Sequence, residues 1–309
     1  MALSPAKFFH LPLLALFGLA SALALLVSSP VSLRAQPSIA GSVRSEPALL
    51  ATLSGVFESW RASMETGDLT QWERTTAYSR QIETRNRIVS QKLPFPQALF
   101  DDSVGAPGLA GLVPVGVLST GETATSTYFG RANFGEDEGA GVAVSDNLLV
   151  LHFLFEDGRW LFDNLRVVKL GNDGEILLQI RNGDFSFLKG DEFQPAPSLP
   201  PVPQPVPVPD LIAEAWVDAT GYEVKVIVNG HPSGVFRNMK STEMVMGGVR
   251  RGQNTVRLEI RPLPDPPGGI SKVEVAIYAA AVTDAPANRV FHYKPETPAP
   301  LVSEAFAIE

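Results

Sequence analysis

The chain of 309 residues contains no cysteine. That excludes a disulfide framework, a thiol nucleophile and a lipid-modified cysteine. Histidine is scarce too. There are four, and His152, His231 and His292 lie too far apart in sequence to suggest a metal cluster, so no metal site is expected. Basic stripes are missing: 25 Lys and Arg face 33 Asp and Glu, a net charge of −8, which argues against a nucleic-acid role. Also absent are GxSxG, HExxH, a P-loop and a glycine-rich turn opening a helix after a strand. No cofactor is therefore expected, and neither half of the chain shows an internal repeat.

What is present begins at the N-terminus. Lys7 is the only charge before the apolar run "LPLLALFGLASALALLV", Leu11 to Val27, and the polar "SSPVSLRAQPS" follows. A positive start, an apolar middle and a small residue after it make a secretory signal over residues 1–35, with cleavage after Ala35. The mature chain is expected in the periplasm or outside the cell. An uncleaved anchor is the competing reading, because residues 8–27 approach the ~20 needed to span a bilayer. Pro12 and several Ala, Ser and Gly residues make that run a mediocre anchor.

Leu49, Leu50, Leu53, Val56, Phe57, Trp60 and Met64 recur at steps of three and four, which predicts a helix over 47–64 that Gly67 stops. Asp68, with Gln71 three places on, caps a second helix through Tyr78. A third covers 79–92 until "PFP" breaks it. Its Arg80, Arg85 and Arg87, with Lys92, read as a solvated face. Strands are expected over 112–119 and 123–132. The run "DNLLVLHFLFEDGRWLFDNLRVVKL" predicts a hairpin turning at Asp157-Gly158, a type I′ signal. Residues 175–188 read as a short helix and an irregular stretch. The loop "NFGEDEGAG" at 133–141 reads as solvated rather than calcium-binding.

Helices followed by an antiparallel sheet ending in "LHFLFEDGRWLFDNLRVV" resemble the NTF2-like (SnoaL-like) α+β cone fold over residues 47–193. The resemblance implies helices over one side of the sheet and a cavity on the other. It allows a homodimer through that domain, and it covers isomerases and dehydratases as well as pure binding modules, so it does not fix a function. With Asp157 and Gly158 as the two turn residues, His152 falls opposite Asp163 in an aliphatic strip. As a functional pair, Asp163 would orient His152 for proton transfer, with Tyr128 as a hydrogen-bond donor. As a structural pair, Asp163 merely satisfies a buried imidazole.

Eight prolines occupy the fifteen positions from Pro195 to Pro209. Residues 194–209 therefore read as a semi-rigid spacer of roughly 45 Å rather than a ligand for a proline reader. Beyond it, residues 210–309 hold seven or eight short strands, which predicts a β-sandwich. "VNG" followed by "VRRGQNTVRLEI" resembles an edge of Ig-like and jelly-roll accessory domains. Alternation places Trp216 and Tyr278 on the more charged faces of their strands, as an aromatic platform for a sugar or a protein. The expected whole is an α+β domain and an all-β domain that resemble uncharacterised exported bacterial proteins. The first expectation is a non-catalytic binding or assembly protein. A small-molecule isomerase or dehydratase acting on an apolar ligand through His152 and Asp163 is the second, and an accessory glycan-binding protein the third.

Overall fold

The computed structural model describes residues 47–101, 106–131, 146–170, 174–264, 269 and 271–309. The expected signal segment, its cleavage point and the acidic loop at 133–141 lie outside them. The fold is α+β, and the chain divides into two compact units. One joins the described residues up to Gln81 with 106–202. The other joins Ile82–Asp101 with Pro203–Glu309.

The first unit opens with α1 (Pro47–Thr66), which Gly67 ends at a φ of 69° that only glycine adopts freely. Asp68 caps α2 (Leu69–Thr75), its carboxylate accepting from the Gln71 amide at 3.0 Å. Here the helix expected through Tyr78 stops three residues early. Thr76 forms a parallel bridge to Phe162, and the Ala77 amide donates to the Phe162 carbonyl at 2.8 Å. Helix α3 (Tyr78–Ser90) follows, and the division between the units falls inside it; α4 (Gln97–Asp101) comes next.

Strands β1 (Val113–Ser119), β2 (Thr123–Arg131), β3 (Asp146–Glu156) and β4 (Arg159–Lys169) pair in sequence order as one antiparallel sheet. Asp157 and Gly158, at φ 50° and 77°, form the expected turn. Alternate residues point to opposite faces, and β3 is apolar at both parities. Phe162 meets Phe153 and, on the α1 side, Phe57 and Trp60; Trp60 and Phe162 stand 4.3 Å apart between ring centroids. Leu148 and Val150 pack with Val115, Leu170, Leu188 and Phe193, alongside α5 (Gly174–Arg181) and a short 3₁₀ turn at Ser186–Lys189.

Among its described residues the second unit holds eight strands, β5 (Ile212–Asp218), β6 (Tyr222–Val228), β7 (His231–Arg237), β8 (Lys240–Met244), β9 (Gly252–Pro262), β10 (Glu274–Ala280), β11 (Asn288–Tyr293) and β12 (Leu301–Ile308). They form two four-stranded sheets, ordered β11-β10-β5-β8 and β12-β9-β6-β7. Ala215, Val217 and Ile277 of one sheet share a core with Val224, Val226 and Leu258 of the other. The sequence signal missed β7, whose Pro232 and Gly234 spoil the alternation. An edge strand with a shifted register tolerates both, and β7 is one. Asn229 and Gly230 turn β6 into β7 at positive φ. The Asn229 side chain donates to Asn254, whose own amide bridges the Arg250 N–H and C=O. That polar junction gives "VNG" and "GQN" their common purpose.

The proline segment is not a free spacer. Thr123 of β2 donates through its hydroxyl to the Ala196 carbonyl, within the first unit. Within the second unit Asn86 of α3 donates to the Gln204 carbonyl at 2.8 Å and accepts from the Val206 amide at 2.9 Å. Arg85 adds a bond to the Val206 carbonyl. Proline cannot donate, so the one N–H between Pro205 and Pro207 is what lets a side-chain amide grip the segment at both ends. The cations expected on a solvated face are likewise engaged. Arg80 meets Asp163, Arg87 meets Glu83, and Lys92 donates to the carbonyls of Asp210 and Ala281.

Candidate functional site

The expected catalytic trio does not assemble. A bulge in β4 shifts the hairpin register between His152 and Phe153, so His152 faces Asn164 rather than Asp163. Asp163 is the extra residue, and its carboxylate accepts from Arg80 Nε at 3.3 Å. The bulge coincides with the bridge that ties Phe162 to Thr76 and Ala77. Burial holds the His152 imidazole below its ordinary range. The Asp163 charge opposes that shift, while the Arg166 and Arg80 guanidiniums add to it.

Tyr128 is separated from His152 by the sheet itself. It pairs with Leu149, whereas His152 pairs with Thr125, and these positions have opposite parity. The Tyr128 hydroxyl lies 2.7 Å from Ser54 Oγ, which in turn donates to the Leu50 carbonyl. Burial raises Tyr128 above the usual phenol range, partly offset by its serine neighbours. The sheet carries aromatic rings on the α1 side and aliphatics on the other.

The second unit does bring its candidates together. In the β11-β10-β5-β8 sheet, Trp216 stands across from Ala276, and Tyr278 across from Glu214. Trp216 and Tyr278 are thus diagonal neighbours on one face, about 7–8 Å apart along the backbone lattice. That face is the one turned from the core, because Ala215, Val217, Ile277 and Ala279 hold the inner parity. Its flanks, His292 and Thr242, are exposed. No protein family, no curated protein and no solved structure matches this chain. The arrangement must be read on its own chemistry.

Glu214, which the sequence did not single out, is the informative neighbour. It is half-buried between Tyr278 and Met244, and desolvation raises its carboxyl above the usual range. No described residue donates a hydrogen bond to it. Two rows further along, beyond Trp216, Asp218 is fully buried and takes bonds from Thr220, Lys272 and Lys240. Burial works against its charge, but those bonds prevail and hold it at about 2. Glu274 is held at about 2 chiefly by Lys272, against burial, with help from His292 and Lys294.

The sign of the pH dependence follows. Both carboxyls are more acidic folded than unfolded, so their contribution is complete above about pH 4.5 and is lost as pH falls towards 2. On the order of 2 kcal/mol in total is at stake once solvent screening is allowed for. Urea unfolding across that pH range should show the decline, and Asp218→Asn should flatten it while lowering stability at neutral pH.

Proposed function

We propose that the protein is an exported, non-catalytic binding protein, built from an NTF2-like cone and an Ig-like or jelly-roll sandwich. Its contact surface is the outer face of the β11-β10-β5-β8 sheet. The observation that carries this reading is the register: it unites Trp216, Tyr278 and Glu214 on one face while dividing His152 from Tyr128. Export is supported by the N-terminal run from Leu11 to Val27 and by cores that need no cysteine. Among the described residues no helix is long and apolar enough to cross a membrane.

A cysteine-free chain permits a direct test. Thr242→Cys places one thiol on the outer face, and Thr255→Cys places one on exposed β9 of the other sheet. A thiol reagent that cannot cross the inner membrane should label the second variant in intact cells and spare the first. Purified protein should label at both positions. Equal labelling at both positions in cells removes the outer-face reading, and no labelling at either removes export.

A further inference from the structure

Three four-stranded sheets leave six edge strands among the described residues, and a bare edge invites another strand to pair with it. Five of the six carry an obstacle. Pro114 and a register shift interrupt β1, Pro232 and another shift interrupt β7, and bulges at Asp163 and Val290 break β4 and β11. Strand β8 runs only five residues and begins at Lys240. Strand β12 has none of these. It keeps eight consecutive pairs with β9 without a shift, and "LVSEAFAI" holds no proline, lysine or arginine. We propose that β12 is a dimer edge. It pairs antiparallel with β12 of a second copy, which joins two four-stranded sheets into one continuous sheet.

The register fixes which backbone groups face outward. The Ile260 amide donates to the Pro300 carbonyl, so the even-numbered residues of β12 turn their N–H and C=O towards β9. Thr255, across from Ala305, agrees: its N–H donates to the Asn229 side chain and its C=O accepts from the Asn229 amide, on the side away from β12. Leu301, Ser303, Ala305 and Ala307 therefore aim their backbone groups at the open edge, and all four are exposed. A two-fold pairing must match outward residues with outward residues, which leaves few registers. Centring on Glu304 sets two carboxylates directly opposite each other, which is unfavourable. Centring on Phe306 leaves Leu301, Val302 and Ser303 without strand partners. Centring on Ala305 avoids both faults. It places Glu304 across from Phe306 and Val302 across from Ile308, with hydrogen-bonded pairs of Ala305 with itself and, twice, of Ser303 with Ala307. That makes about six backbone bonds between copies. Val302, Phe306 and Ile308 already lie against the sandwich core, so the pairing prolongs that core across the axis. A second copy is the fitting occupant because it brings an equally bare edge of the same length. The closed two-fold consumes both edges and goes no further.

Sedimentation of the purified full-length protein should give twice the chain mass. Ala305→Pro removes only an outward N–H, leaves the β9 bonds in place, and should weaken the dimer about tenfold or more. Ala305→Lys keeps that N–H but sets two cations across the axis, and should weaken the dimer comparably with an unchanged circular-dichroism spectrum. A chain without cysteine also lets the register be read directly. Under mild oxidant Ala305→Cys should link to itself, since paired Cα atoms stand about 5.5 Å apart. Ala307→Cys should not, because the two copies of that position lie more than about 12 Å apart. A monomeric parent, a dimer that survives both Ala305 variants, or self-linking at position 307 and not at 305 overturns the proposal.

Discussion

Val206→Asp should destabilise the protein by about 3 kcal/mol or more, because it places an unpaired carboxylate in an apolar seat. Val206 is 2% exposed, and its backbone is held on both sides by Asn86 and Arg85. The same substitution at Val202 or Val208, which are 50% and 68% exposed, should fall within about 0.5 kcal/mol of the parent. Three Pro-Val-Pro copies thus carry very different weights, and urea denaturation of the three variants reads the difference directly. Asn86→Leu should cost about 2–3 kcal/mol by leaving the Val206 amide and the Gln204 carbonyl unpaired. Three equal outcomes in the valine series would mean that the proline segment is the loose spacer its composition suggests.

Phe162→Ala should cost about 3–5 kcal/mol, since it removes the ring that Phe57, Trp60 and Phe153 all touch. The variant also tests the non-catalytic reading from inside. It opens an apolar void between α1 and the sheet, and such a void stays dry and takes up small aromatics. Thermal unfolding of Phe162→Ala should therefore shift upwards with added benzene or indole, whereas the parent should not respond. A response of the parent would show a cavity already open in the parent and count against the non-catalytic reading.

Much of the fold is legible where one short-range rule governs. Asp157-Gly158 fixes its turn because only a primed turn matches the strand twist, and the helix over 47–64 follows from its apolar spacing. The candidate site was legible only as separate strands. Trp216 and Tyr278 each showed the right parity, but their adjacency depends on β5 pairing with β10 across more than fifty intervening residues. Asp163 was misplaced for a comparable reason. Its bulge sits at the bridge from the α2–α3 connection, a tertiary contact that leaves no periodic trace in β4. Asn86 was invisible because a helix asparagine shows its purpose only once Gln204 and Val206 reach it.

The compact unit made of Ile82–Asp101 and Pro203–Glu309 has a consequence for how the protein is made. The ribosome finishes the first of these segments long before it begins the second. Ile88, Val89 and Leu99, all buried in the finished fold, spend that interval without the strands that complete their unit. That unit cannot close its core until its last strand, Leu301–Ile308, has been synthesised.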